Sequence, residues 1–239
     1  MSKGSSPRVL ITGAAKRIGR VIAIELSRRG FSVAIHYNTS RDEAENTSRE
    51  CNEAPIFQAD LGRVDEIRRL FRIVREQFGP LDCLVNNAAR FTRFNALDIT
   101  ETDWDFIHNV NLKATFFCCQ EAGRQMKARG HGRIVNISSL GGIRPWAEHA
   151  HYCASKAGVI MLTKALSKAF APEVTVNSVA PGVISFNDVD ADTQSMIDAT
   201  PMRKAGKPEN VADAVHFFLT APDFITGQVM AVDGGLSQR

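Results

Sequence analysis

Short apolar runs alternate along the chain with longer segments in which apolar positions recur at the helical period. The first cycle is an apolar run at 9–11, a helical segment at 17–29 and a second run at 32–35. Five further runs predict strands at 56–58, 83–85, 133–137, 175–179 and 228–232. Helical patterns separate the runs, among them 41–50, 64–78 and 104–129. This alternation predicts βαβ units around a parallel sheet.

Right-handed crossovers fold such units into a doubly wound parallel sheet with helices on both faces. We therefore predict an α/β fold, a single Rossmann-type domain over residues 1–239, with its ligand crevice at the carboxyl ends of the strands. One segment, 185–201, loses the periodicity and is rich in Asp, Ser and Thr. We interpret it as a mobile segment that covers the substrate.

Composition narrows the class of protein. The 239 residues are 44% hydrophobic, enough for a sizeable core. The 29 basic and 26 acidic residues form no long block of one sign, which disfavours nucleic acid and anionic membranes as partners. No segment is typical of a signal peptide or a bilayer span, so we expect a cytoplasmic protein. The five cysteines lack zinc-like spacing and predict reduced thiols and no metal site.

The first predicted strand leads into TGAAKRIG at residues 12–19, which opens the first helix. Backbone N–H groups and the positive helix end then meet at one place, where a pyrophosphate fits. Gly13 lets the backbone approach a ligand, and Gly19 lets the helix pack on the sheet. Turn and packing roles alone would also account for both glycines.

The second predicted strand ends in Tyr37, Asn38, Thr39 and Ser40, which offer hydroxyls and an amide but no carboxylate. An NAD site would place a carboxylate there to bind the adenosine ribose diol. With Lys16 close by, the 2′-phosphate of NADP is the better ligand. Residues 38–40 also suit the cap of the following helix, and the two roles are compatible.

A candidate reaction centre follows the predicted strand at 133–137. Tyr152 lies thirteen positions after Ser139, and Lys156 lies four positions after Tyr152, on the same face of a helix. A free tyrosine, with a pKa of about 10, holds its proton too tightly to cycle easily. A neighbouring ammonium and a cationic nicotinamide would favour the phenolate, making Tyr152 a usable acid and base. Ser139 could hydrogen-bond the substrate carbonyl.

The chain also contains NNAA at 86–89, Asn111, NISS at 136–139 and Pro181-Gly182. Together with the motifs above, they resemble the short-chain dehydrogenase/reductase superfamily in order and spacing over essentially the whole chain. The resemblance implies an NADPH-dependent, homotetrameric oxidoreductase. It assigns a water-holding role to Asn111, substrate orientation to Ser139, acid/base chemistry to Tyr152, and ribose binding with lowering of the tyrosine pKa to Lys156. Within it, Asp60 contacts adenine, 87–89 line the adenosine ribose, and 181–184 flank the nicotinamide.

The cofactor contacts that follow from the loop and the resemblance are Gly13, Ala15, Lys16, Arg17, Ile18, Gly19, Tyr37, Asn38, Thr39, Ser40, Asp60, Leu61, Asn87, Ala88, Ala89, Tyr152, Lys156, Pro181, Gly182, Val183 and Ile184.

Two residues point to different substrates. Arg17 stands where most members carry glycine, which resembles the TGxxxR pattern of pteridine reductases. Ser139 stands where pteridine reductases typically carry Asp, which resembles β-ketoacyl-carrier-protein reductases. A 3-oxoacyl thioester or small ketone is the leading substrate and a dihydropterin the alternative. Arg17 either contacts the substrate or only neutralises phosphate, and Phe91 is a candidate stacking contact.

Other interpretations stay open or assign no chemistry. A Rossmann scaffold alone would also permit a non-catalytic NADP-binding regulatory protein. His108, His149 and His151 lack metal-ligand spacing, and we interpret them as surface polar residues without a catalytic role. Phe116 and Phe117, on a helix too apolar for one buried stripe, predict a subunit contact.

Overall fold

The computed structural model describes residues 6–186 and 191–238. Within them, seven parallel strands form one sheet in the order β3-β2-β1-β4-β5-β6-β7. The strands are β1 (Arg8–Ile11), β2 (Ser32–Tyr37), β3 (Ile56–Gln58), β4 (Cys83–Asn86), β5 (Gly132–Ile137), β6 (Val174–Pro181) and β7 (Val229–Val232). The predicted single doubly wound Rossmann-type sheet is confirmed.

The helices of the described residues cover both faces of this sheet. They are α1 (Arg17–Arg28), α2 (Arg41–Glu50), α3 (Val64–Gln77), α4 (Glu101–His108), α5 (Ala114–Arg129), α6 (Ala150–Phe170), α7 (Ala191–Ala199) and α8 (Pro208–Thr220). Side chains of α1, α2 and α8 join the core on one face. Side chains of α3, α5 and α6 join the core on the other.

The central strands are continuous apolar runs in the sequence because both of their faces are buried. In β1, Val9 and Ile11 pack into the core on the α1 side, whereas Leu10 packs into the opposite core. All three side chains are fully buried. A strand with one solvated face would instead alternate apolar and polar residues.

The helix predicted at 104–129 begins earlier and is not uniform. Thr100 caps α4: its hydroxyl accepts from the Asp103 N–H at 3.2 Å, and its own N–H donates to the Asp103 carboxylate at 3.1 Å. One π-helical turn, Asn109–Lys113, then joins α4 to α5. The chain therefore widens by one residue at the turn that carries Asn111.

The segment 185–201 is more regular than the sequence indicated. Helix α7 occupies residues 191–199, where the apolar pattern predicted no helix. Ile197 is buried and anchors this helix to the domain. Residues 187–190, which belong to the same prediction, lie outside the described residues.

The strand order reverses beside β1, whose neighbours are β2 and β4. In open α/β sheets the ligand crevice forms at such a switch point, outside the carboxyl ends of the strands. The loops after β1, β4, β5 and β6 all emerge there. No helix among the described residues is long and apolar enough to cross a membrane.

Candidate active site

A cavity of about 840 Å³ opens at the carboxyl ends of the strands. Its size is in the range of small-molecule and cofactor sites. The structure brings every predicted cofactor and substrate residue to its walls, including Gly13, Asp60, Phe91, Tyr152 and Ile184. Asn111 is the one predicted site residue that does not border it.

The loop after β1 allows a ligand to approach its backbone closely. Gly13 has a φ of 63°, in the left-handed region that favours glycine, and a Cβ there would lie 2.9 Å from the Ala88 Cα. A Cβ on Gly19 would lie 2.2 Å from the Gly13 carbonyl oxygen. Lys16, at the N-cap of α1, makes no side-chain cap hydrogen bond, and the first turn holds no acidic residue. These features suit an anion at the helix start.

His36 in β2 fixes this loop, a role that the sequence analysis missed. Its Nδ1 accepts from the Gly13 N–H at 3.0 Å, and its Nε2 lies 3.1 Å from the Ala59 carbonyl oxygen. Because a carbonyl oxygen can only accept, Nε2 carries the ring proton and the imidazole is neutral. Burial lowers the pKa of His36 to about 4. No sequence signal distinguishes this histidine from an ordinary strand residue.

The end of β2 borders the cavity through Tyr37, Asn38, Thr39 and Ser40. None of them carries a carboxylate, and the exposed Lys16 borders the same cavity. Ser40 occupies the N-cap position of α2, but its side chain makes no cap hydrogen bond. The helix-capping interpretation is therefore wrong for the Ser40 side chain.

Ser139, Tyr152 and Lys156 come together between β5 and α6. The Ser139 side chain lies beside the Tyr152 phenol, and the Ser139 hydroxyl oxygen accepts from the Gly141 N–H at 3.0 Å. The Lys156 Nζ lies 5.9 Å from the centroid of the tyrosine ring and donates to the Ile137 carbonyl at 2.9 Å. All three predicted residues border the cavity.

Burial shifts the pKa values of Tyr152 and Lys156 in opposite directions. Burial raises the pKa of Tyr152 to about 12, although the neighbouring Ser139 side chain acts in the opposite direction. Burial lowers the pKa of Lys156 to about 8. Burial of the phenol therefore sets the direction of the Tyr152 pKa shift, and the lowering of that pKa by Lys156 stays a prediction. At neutral pH, Tyr152 holds its proton and is available as a donor.

Asn111 lies behind the cavity wall, fully buried in the π-helical turn. Its side-chain oxygen accepts from the Arg90 N–H at 2.7 Å. Its amide nitrogen donates to the Arg90 carbonyl at 3.0 Å and to the Ser155 hydroxyl at 3.1 Å. Ser155 in turn donates to the Tyr152 carbonyl at 2.7 Å. The Asn111 side chain therefore joins the segment after β4 to the start of α6.

Aromatic rings wall the cavity beside Tyr152. The Phe91 ring meets the Tyr152 ring edge-on at 4.8 Å between centroids, and Trp146 lies nearly parallel to Tyr152 at 6.2 Å. The Arg17 guanidinium lies 4.8 Å from the centroid of the Phe186 ring. Phe186 was not predicted from the sequence, because its own segment carries no recognisable motif.

The surface interpretation of the histidines is wrong for two of the three. His149 borders the cavity, where its ring stacks on Phe91 at 4.6 Å. His151 is fully buried, with Nε2 2.7 Å from the Thr92 hydroxyl. His108 stacks on Trp104 away from the cavity. Among the described residues, no group of His, Cys, Asp and Glu side chains has the arrangement of a metal site.

Comparisons with known proteins agree with this geometry. A family model described as enoyl-(acyl carrier protein) reductase matches residues 13–237. A 3-oxoacyl-[acyl-carrier-protein] reductase of Staphylococcus aureus is 38% identical over 238 residues, covering 95% of this chain and 96% of the relative. A reductase of the same name from Synechocystis is 34% identical over 235 residues, covering 95% of each protein.

Two solved structures are similar over nearly their whole length. A putative gluconate dehydrogenase from Agrobacterium tumefaciens superposes with a TM-score of 0.92 at 28% identity, covering 98% of this chain and 97% of that one. A gluconate 5-dehydrogenase from Burkholderia cenocepacia, in complex with NADP and tartrate, superposes with a TM-score of 0.90 at 29% identity. That match covers 99% of this chain and 97% of the other.

Proposed function

Because the chain belongs to the short-chain dehydrogenase/reductase superfamily, we propose that it reduces a carbonyl group with NADPH and that Tyr152 donates the proton. One observation carries the assignment of the proton donor. A tyrosine with its pKa raised to about 12 lies beside Ser139 at the wall of a cavity that also contains the glycine loop after β1. A ligand bound at the glycine loop would therefore extend along the cavity toward the protonated Tyr152.

The donor set of the cavity fits NADP. The uncapped start of α1 and the close-packed Gly13 suit a pyrophosphate. Lys16 and the hydroxyls of Thr39 and Ser40, with no carboxylate at the end of β2 itself, suit a 2′-phosphate better than a free ribose diol. The other predicted cofactor contacts continue along the same cavity to Pro181 and Ile184.

The chain's own groups supply the proton chemistry. When bound, NADPH supplies the hydride. Ser139 and Tyr152 hydrogen-bond the carbonyl oxygen of the substrate, which favours the negative charge that develops on it. Tyr152 then releases its proton to that oxygen, and the nearby Lys156 ammonium stabilises the remaining phenolate. The buried Asn111 and Ser155 position this part of α6.

For the substrate, a 3-oxoacyl thioester or a small ketone fits best. The relatives in the comparison carry the name of 3-oxoacyl-carrier-protein reductases, and Ser139 supports carbonyl orientation. A dihydropterin is the alternative, because Arg17, Phe91 and Phe186 offer a cation and aromatic faces beside the reaction centre. Thr193 and Met196 of α7 also wall the cavity, so residues 185–201 are proposed to cover the substrate.

A substrate panel tests this assignment. NADPH consumption is followed with acetoacetyl-coenzyme A, simple ketones and dihydrobiopterin, each with NADH in a parallel series. We expect turnover of at least one carbonyl substrate, and a higher kcat/KM with NADPH than with NADH. Robust dihydropterin turnover without carbonyl turnover would make the pteridine assignment correct instead.

The proposal extends to the cellular setting and the assembly of the enzyme. We propose a cytoplasmic homotetramer, as the family resemblance implies. Phe116 and Phe117 of α5 are only half-buried, and Phe217 and Phe224 are exposed at α8 and just beyond it. Apolar side chains at such positions suit subunit contacts.

A further inference from the structure

His149 is held rigidly at the substrate end of the cavity. It ends a short helical turn, Ala147–His149, directly before α6, and it is half-buried. Its ring stacks on Phe91 at 4.6 Å and meets the Trp146 ring at 5.7 Å, nearly perpendicular. Phe91 and Trp146 both also contact the Tyr152 ring. The imidazole therefore lies one aromatic ring away from the proton donor.

The hydrogen bonds of this ring define which nitrogen carries the proton. The Nδ1 atom lies 2.9 Å from the Thr92 carbonyl oxygen. A carbonyl oxygen can only accept, so Nδ1 donates, and in the neutral ring Nε2 bears the lone pair. On the part of the chain that the structure describes, Nε2 has no hydrogen-bond partner. His149 thus has an unused acceptor on a ring that borders the cavity.

Neighbouring contacts keep the ring in this orientation. The Phe94 N–H donates to the Glu148 carbonyl at 2.9 Å, and Arg93 pairs with the Glu148 carboxylate. The Thr92 hydroxyl also contacts the buried His151. The loop after β4 and the turn before α6 therefore form one unit. Rotating the His149 ring would break the Thr92 bond and the stack on Phe91.

We propose that His149 determines substrate specificity by accepting a hydrogen bond, through Nε2, from a hydroxyl group on the carbon next to the reacting carbonyl. The proposal rests on the proposed carbonyl reduction and, of the two proposed substrate classes, selects the small ketones and within them the hydroxyketones. The carbonyl carbon gains the hydride from NADPH, its oxygen gains the Tyr152 proton, and the product is a vicinal diol. A site that binds a substrate hydroxyl discriminates against the analogue that lacks it, because the acceptor is then left unpaired.

The test compares acetoin with butanone, which share a skeleton and differ in that hydroxyl. We measure kcat/KM for both ketones with saturating NADPH in the wild type, His149→Phe and His149→Asn. His149→Phe retains an aromatic ring but loses both nitrogens. His149→Asn can still donate to the Thr92 carbonyl but lacks the Nε2 acceptor. His108→Phe is the matched control, because His108 stacks on Trp104 away from the cavity.

We expect the preference for acetoin over butanone to fall by about tenfold in both His149 variants, the equivalent of one lost hydrogen bond. The expectation concerns the ratio of kcat/KM for the two ketones and not the turnover of either one, and His108→Phe should keep the wild-type preference. The ratio of kcat/KM for acetoin to kcat/KM for butanone is compared between each variant and the wild type. The intrinsic difference in reactivity between the two ketones then cancels.

Two results would overturn the inference while leaving carbonyl reduction intact. One is an unchanged preference for acetoin over butanone in both His149 variants, including the case in which the turnover of both ketones falls equally. The other is a wild type that reduces acetoacetyl-coenzyme A but neither ketone. A wild type that reduces no carbonyl compound contradicts the proposed function itself.

Discussion

At the reaction centre, burial moves the pKa values of two neighbouring side chains in opposite directions. The pKa of Tyr152 is raised to about 12 and that of Lys156 is lowered to about 8. Both shifts favour the neutral form of the group, as expected for desolvation. For reduction this is useful, because the phenol stays protonated until a developing negative charge draws the proton away. The same burial has a measurable cost in stability.

Replacing Lys156 by methionine should stabilise the fold. The folded-state pKa of Lys156 lies below the ordinary value of 10.5, so burying the ammonium is unfavourable at pH values below about 8. That cost disappears as the pH rises toward the unfolded-state pKa. We expect Lys156→Met to raise the free energy of unfolding by about 1–3 kcal/mol near pH 7, with loss of activity.

Urea unfolding without nucleotide, near pH 7 and again near pH 10, measures this effect. The gain should shrink at the higher pH. A variant that is destabilised at both pH values would show that the bond to the Ile137 carbonyl matters more than the buried charge.

His36 should make nucleotide binding sensitive to acid. Its pKa is lowered to about 4, so folding favours the neutral ring, and that stabilisation is lost as the pH falls from about 6.5 toward 4. A protonated Nδ1 can no longer accept from the Gly13 N–H, and the loop loosens. Because the folded-state pKa governs binding, we expect the NADPH dissociation constant of the wild type to rise as the pH approaches 4.

Fluorescence titration of NADPH from pH 7 to about 4 measures this dependence. Carboxylates titrate in the same range, so His36→Gln, which keeps an acceptor but no titratable group, separates the two causes. An identical pH dependence in wild type and His36→Gln would rule out the histidine.

At the scale of elements, the periodicity predicts the strands well because each central strand is buried on both faces. The same pattern predicts where the site lies. TGAAKRIG and the pair Ser138-Ser139 each directly follow a strand, and the carboxyl ends of these strands lie at the same edge of the sheet. The π-helical turn at Asn109–Lys113 is different. Its extra residue leaves no mark in the apolar pattern, so a continuous helix was the natural prediction.

Other site features depend on contacts between distant segments and are invisible in sequence. His36 meets Gly13 across 23 positions, and Thr92 meets the ring of His149 across 57 positions. The direction of the Tyr152 pKa shift likewise depends on burial, which the Tyr-x-x-x-Lys spacing does not reveal. Helix α7 was missed because its polar composition hides the few positions, such as Ile197, that anchor it.

The packing of α1 against the loop after β4 is specific enough to test. A Cβ at Gly19 would lie 2.2 Å from the Gly13 carbonyl oxygen and 2.4 Å from the Asn87 side-chain nitrogen. Gly19→Ala must therefore shift the start of α1. We expect NADPH affinity to fall by at least about tenfold, because the helix start no longer faces the pyrophosphate correctly.

Isothermal titration with NADPH gives this affinity, and Gly130→Asn is the control. Gly130 follows α5 in the left-handed conformation, which asparagine tolerates, and a Cβ at this position would meet no atom within 4 Å. Wild-type affinity in Gly19→Ala would show that the loop does not hold the nucleotide.

For the whole molecule, one ligand would bridge loops from most strands of the sheet. The cavity walls include residues that follow β1, β2, β3, β4, β5 and β6. A nucleotide bound across them stabilises only the folded state. At a concentration of about 100 times its dissociation constant, NADPH should add about 2.7 kcal/mol.

For a chain of this length, that free energy corresponds to a rise in Tm of about 5–10 °C. Thermal unfolding with NADPH and with NADH at equal concentration measures it, and NADH should give the smaller rise. Equal rises would contradict the assignment of Lys16, Thr39 and Ser40 to the 2′-phosphate.

The most direct test of the proton-donor role is the turnover of Tyr152→Phe on the best carbonyl substrate, measured beside its NADPH affinity. Removing the hydroxyl deletes the proton donor and leaves the glycine loop and the ring contacts of Phe91 and Trp146 in place. We predict that kcat/KM falls by about 10²–10⁴-fold while the NADPH dissociation constant stays within about twofold of the wild type. Unchanged turnover would contradict this role and revive a non-catalytic NADP-binding protein.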